Sequence, residues 1–121
     1  MEKKLVPTEI RYEKSEDKLY VSFDNGDSYV FTAEYLRVFS PSAEVRGHGP
    51  DSAVLQVGKK DVKILSIEPV GNYAVILSFD DGHNSGIYSW SWFHTIGESQ
   101  DEMWAKYLQD LSDAGAKRGM T

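Results

Sequence analysis

Three histidines, one glutamate and four turn aspartates are the side chains of this sequence best placed to do chemistry. His83 follows Asp80-Asp81-Gly82, just past a tight turn, where a ring can point out of a sheet. His48 sits in Gly47-His48-Gly49-Pro50, with Glu44 shortly before it. Two imidazoles and a carboxylate suit a divalent metal, provided the loop bearing His48 folds over the turn bearing His83. A second reading makes the His83 ring a clamp that bonds the backbone of the facing loop. His94 lies in an aromatic helical stretch and reads as structural. Asp24, Asp27, Asp80 and Asp81 resemble paired carboxylates for proton transfer. Hairpin turns demand Asp as well, and the turn reading is preferred. Arg37 and Arg46, with nearby glycine amides, are suited to an anion.

No complete catalytic motif accompanies these residues. The chain has no GxxxxGK[ST] and no GxGxxG, so nucleotide binding is unsupported. It has no nucleophile elbow and no Ser/His/Asp order. No catalytic residue is assigned, and no cofactor beyond zinc or iron at His83, His48 and Glu44.

The elements that must carry these residues come in two similar units. Val21-Ser22-Phe23-Asp24-Asn25-Gly26 answers Leu77-Ser78-Phe79-Asp80-Asp81-Gly82, 56 residues later. Phe31-Thr32 answers Tyr88-Ser89, and Tyr35-Leu36 answers Trp92-Phe93. In the first unit, strands are expected over 8–12, 19–23 and 29–31, joined by turns at 13–17 and at Asn25-Gly26. Thr32 is placed to cap a helix over 33–39, which Pro41 ends. Residues 40–60 read as irregular, with a short edge strand at 54–57. In the second unit, strands are expected over 62–70, 74–79 and 86–88. A helix over 89–96 follows, with Gly97 as its cap. Ser99-Gln100-Asp101-Glu102 fits a capping box. The helix behind it bears Trp104, Tyr107, Leu108 and Leu111 on one stripe, which should pack on the sheet. Gly115 stops it. The fold class is therefore α+β: a small, mainly antiparallel sheet of about six short strands, with helices on one face.

The chain has 121 residues, enough for one domain. Residues 1–6 and 115–121 read as loose tails around a domain over 7–114. A formal net charge of −6 disfavours nucleic acid, which requires a positive field. There are no cysteines, which excludes disulfides, thiol nucleophiles and zinc–thiolate sites. Met1 to Pro7 has two lysines and no apolar stretch, so it does not read as a signal peptide. No apolar run reaches the roughly 18 residues of a membrane span. A cytoplasmic protein with no membrane partner is expected.

Three separated stretches carry a family resemblance: Leu36 to Pro50, Ile67 to Ala74 and Asp81 to Trp90. Together they resemble the gamma-butyrobetaine hydroxylase-like N-terminal domain, a domain of unknown function (DUF971), over about residues 7 to 114. The resemblance implies a domain that stands alone in bacteria. It also implies one that precedes the catalytic domain of gamma-butyrobetaine and trimethyllysine dioxygenases, or is appended to P-loop Fe–S carriers. It does not imply their Fe(II) and 2-oxoglutarate chemistry, because the catalytic jelly roll is absent. In the dioxygenases the domain holds a zinc with three cysteines and one histidine. By position these would fall on Ser40, Ser42, Val45 and His83.

Two functional expectations follow. The first is a non-catalytic accessory or protein-interaction module. Its surface would comprise Arg37, Arg46, Trp90, Trp92 and Phe93, with the 40–50 loop beside them, and its partner is an unidentified protein. The second is a small metal-binding protein, zinc or iron and Fe–S-related, using His83, His48 and Glu44.

Overall fold

The computed structural model describes residues 5–46 and 54–119, with the backbone alone at Ala43 and Glu44. Strand β1 (Pro7–Glu13) pairs antiparallel with β2 (Lys18–Phe23), and β2 with β3 (Ser28–Thr32). Helices α1 (Ala33–Val38) and α2 (Ala43–Arg46) follow. The second meander is β4 (Ile64–Val70), β5 (Ala74–Phe79) and β6 (Ile87–Ser89). Helices α3 (Trp90–Glu98) and α4 (Gln100–Asp113) close the chain. The fold is α+β, and among the described residues it has six antiparallel strands, divided into two three-stranded sheets.

The sequence likeness between the halves extends to single hydrogen bonds. Gly26 and Gly82 take φ of 95° and 91° at matching turn positions, a region open to glycine at little cost. Each donates to the phenylalanine that ends its strand, Phe23 or Phe79, at 3.1 Å. Leu19 faces Phe31 across β2–β3 as Val75 faces Tyr88 across β5–β6. Even the register shifts match, at Pro7/Glu9 and Ile64/Ser66. The two hydroxyl caps are also equivalent. Thr32 accepts from the Tyr35 N–H at 3.0 Å, and Ser89 from the Trp92 N–H at 3.1 Å.

The halves share one core, into which β2, β3, β5, β6, α1 and α3 turn their apolar faces. Alternation on β2 buries Leu19, Val21 and Phe23, and alternation on β5 buries Val75, Leu77 and Phe79. Their contacts are reciprocal. The Tyr35 hydroxyl donates to the Ile96 carbonyl at 2.6 Å, and the equivalent Trp92 Nε1 donates to the equivalent Phe39 carbonyl at 3.1 Å. Such crossed pairs are what a two-fold arrangement produces.

Several local expectations fail for physical reasons. Gly97 does not cap α3; it lies inside the helix, where a Cβ would sit 2.5 Å from Cγ of the Tyr29 ring. Its missing side chain makes room for an aromatic. Gly97→Ala should therefore destabilise by about 1–3 kcal/mol through overpacking, although Ala is the better helix former. Urea unfolding checks this, and a more stable variant would refute the contact. Ser99 forms no capping box. It joins α3 to α4 with φ of −107° and ψ of 20°, and its side chain makes no cap bond. Residues 54–57 form no strand, because their groups are engaged elsewhere: the Val54 N–H bonds Val45 and the Gln56 carbonyl accepts from Tyr107.

Helix α4 packs on α1 rather than on a sheet. Tyr107 and Leu111 join Val38, Phe39 and Leu55 in a second apolar cluster, while Leu108 of the expected stripe is 40% exposed. Gly115 ends α4 with φ of 65°. Beyond it the chain doubles back, and Lys117 and Arg118 carbonyls accept from Gly58 and Lys60. Arg118 pairs with both oxygens of Glu34 at 2.7 and 3.0 Å and lies over Trp104. This docking has no pattern in the sequence.

Candidate functional site

The end of α1 and the β5–β6 turn meet around His83. Phe39 ends α1 and Ser40 is fully buried behind it. Gly86 lets the backbone come close, since a Cβ there would overlap Ser40 Oγ. His83 is 5% exposed, and its Nε2 lies 2.9 Å from Ser40 Oγ and 3.4 Å from Ser42 Oγ. The His83 N–H donates to Asp81 Oδ1 at 3.2 Å. The other Asp81 oxygen accepts from Arg37 Nε at 2.8 Å and Lys59 Nζ at 2.7 Å. Burial opposes ionisation of Asp81, but Lys59, the His83 N–H and Arg37 outweigh it and bring the carboxyl down to about 2. Arg37 also donates to Gln56 Oε1 at 3.0 Å. The arrangement is a clamp between the turn and the loop.

Of the four positions the resemblance implied, Ser40 and Ser42 face His83, while Val45 lines a neighbouring groove. Their chemistry does not fit zinc. One imidazole with two serine hydroxyls lacks the four nitrogen, sulfur or carboxylate ligands such a site requires. The expected partners His48 and the Glu44 side chain lie outside the described residues.

Beside the clamp runs an apolar groove of about 440 Å³. Val38, Phe39, Leu55, Trp92, Met103 and Tyr107 contribute to its walls, with Arg46, Lys106 and Asp110 among the polar lining. The Arg46 guanidinium lies 5.0 Å over the Trp92 ring. Lys106 pairs with Asp110 one helical turn on at 3.0 Å.

The structure divides the expected interaction surface. Arg46 and Trp92 line the groove. Trp90 lies elsewhere, its Nε1 donating to the Asn72 carbonyl at 2.8 Å. Phe93 is not a surface residue: it is 0% exposed, stacked on Phe31 and Tyr88. Arg37 is not an open anion site, because Asp81 and Gln56 occupy its guanidinium. Sequence reasoning missed the groove contributions of Leu55, Met103 and Tyr107. Tyr107 alone carried a signal, as part of the α4 stripe.

A different group of ligand-type side chains lies at the other hairpin turn. Asp27, His94 and Glu98 each offer an atom within 4.8 Å of the others. His94 Nε2 is 3.1 Å from Asp27 Oδ2, so the histidine read as structural does tie two elements together.

Comparison with known proteins places these features. Two solution NMR structures are each 44% identical to this chain. One has a TM-score of 0.83, covering 97% of this chain and 92% of the other. The second has a TM-score of 0.82, with 98% and 88% covered. A crystal structure from Acidithiobacillus ferrooxidans, of a protein with unknown function in the DUF971 family, is 34% identical. It has a TM-score of 0.63 and covers 75% of this chain and 91% of its own. No curated protein matches the chain. Among the described residues no helix is long and apolar enough to cross a membrane. The model of the family "gamma-butyrobetaine hydroxylase-like, N-terminal" matches residues 10–94, and the chain belongs to that family.

Proposed function

We propose that this chain is a non-catalytic protein-interaction module, and that the groove between α1, the 54–56 segment and α4 receives an apolar anchor side chain of a partner protein. The observation that carries this reading is the groove itself, an open apolar hollow edged by an Arg–Trp pair. Buried aromatic and arginine anchors dominate binding energy at protein interfaces. Val54 at the groove is 55% exposed, so apolar surface remains in water there. A binding role through His83 has less support, since its Nε2 is already taken up by Ser40 and Ser42.

The test begins with partners captured by cross-linking and then measures each interaction with purified proteins. Val54→Glu and Arg46→Glu should weaken a genuine partner at least tenfold. Leu65→Glu, on the exposed outer face of β4, should leave it unchanged. Equal binding by all three variants would overturn the proposal.

A further inference from the structure

The Asp27 turn is the counterpart, in the first half, of the Asp81 turn in the second. Asp27 N–H donates to Asn25 Oδ1 at 3.0 Å, as His83 N–H donates to Asp81 Oδ1. The helix residue facing each turn is also equivalent: Arg37 faces Asp81, and His94 faces Asp27. The charge is not equivalent. Asp81 is held by two permanent cations, Arg37 and Lys59. At the other turn two carboxylates, Asp27 and Glu98, converge on a single imidazole. No lysine or arginine pairs with either among the described residues.

From this difference, we infer that Asp27, His94 and Glu98 form a binding site for a divalent first-row transition ion, zinc foremost. His94 and Glu98 are four residues apart on α3 and so share one helix face. Asp27 is fixed from the opposite side, where Asn25 Nδ2 donates to its Oδ2 at 2.9 Å. The His94 ring is held edge-on by Phe23 and Tyr29, with centroids at 5.9 and 5.8 Å. One nitrogen and two carboxylate oxygens suit a borderline ion with water completing its shell. An imidazole in the set selects against calcium and magnesium. Glu98 is exposed, so its carboxylate can swing in to shorten the 4.8 Å spread.

The Tyr29 hydroxyl supplies a second observation. Its oxygen is buried and has no hydrogen-bond partner of normal geometry among the described residues. A buried polar atom without a partner is costly and calls for a ligand, water or ion. An ion pair between protonated His94 and Asp27 would account for those two groups. It brings no second carboxylate to the ring, whereas the cluster has one in Glu98.

The test uses the chelator-treated full chain, titrated with Zn²⁺ by calorimetry and with Co²⁺ by visible absorption. One equivalent should bind, with Zn²⁺ moving the His94 imidazole resonances. His94→Gln and Glu98→Gln should each weaken binding at least tenfold. Glu98 is exposed, so its variant keeps the fold and keeps the result interpretable. A double variant, His48→Gln with His83→Gln, should bind as the wild type does. Saturation only at millimolar metal, unchanged binding in Glu98→Gln, or loss confined to the His48/His83 variant would each overturn the assignment.

Discussion

Phe93→Ala should cost about 3–5 kcal/mol, the range for deleting a buried aromatic side chain. Phe93 is stacked between Phe31 at 5.9 Å and Tyr88 at 5.6 Å. Phe31 stacks in turn on Tyr35, so the deletion opens a cavity where the two halves meet. Collapse is hindered because the flanking rings are anchored. Tyr35 and Tyr88 donate their hydroxyls to the Ile96 and Leu36 carbonyls. Urea unfolding with far-UV circular dichroism reads the loss directly. Trp92→Ala, at the groove, should cost less, since that ring is partly in water. A Phe93→Ala variant within 1 kcal/mol of wild type would remove Phe93 from the core.

The second large effect concerns charge. Arg37→Met should cost roughly 3 kcal/mol, because breaking a largely buried pair strands its partners. Asp81 would keep Lys59 as its cation, with the His83 N–H, and Gln56 Oε1 would lose its donor. Acid titration gives an independent check. The Asp81 pKa is lowered in the folded state, so its ionised form stabilises the protein above the unfolded value. That contribution is lost as pH falls from about 5 toward 2. Asp81→Asn should forfeit about 2–3 kcal/mol at neutral pH and flatten the stability profile over that window. Below about pH 2 the wild type and the variant should converge. A variant whose profile matches the wild type at every pH would show that Asp81 does not hold the clamp.

Much of the fold is legible in short-range chemistry. Asn25-Gly26 and Asp81-Gly82 mark the turns because only residues tolerant of positive φ fit there. Thr32 and Ser89 mark helix starts because their oxygens reach an N–H three residues on. Gly97 misleads for the opposite reason: its role is set by the Tyr29 ring, distant in sequence. Ser99 misleads because the capping pattern recurs where one helix runs almost straight into another. The aromatic helix shows what periodicity can and cannot say. It marks a buried face, but not that Phe93 and Ile96 take it while Trp90 and Trp92 stay at the rim.

The sites are less legible, because each is assembled from distant segments. The groove draws on α1, α2, the 54–56 segment, α3 and α4, and no local pattern joins them. The pairing of His83 with Ser40 and Ser42 came within reach only through the family correspondence. The Asp27 cluster had one local signal, His94 and Glu98 at helical spacing. Its third member lies 67 residues from His94 and reads on its own as an ordinary turn residue.

Reciprocal bonding also makes the halves depend on each other, because each holds a carbonyl of the other with its own donor. Among the described residues the two turns carry no such mutual bond and are free to differ. One turn bears fixed cations and the other an imidazole beside two acids, so two equivalent halves present chemically different ends.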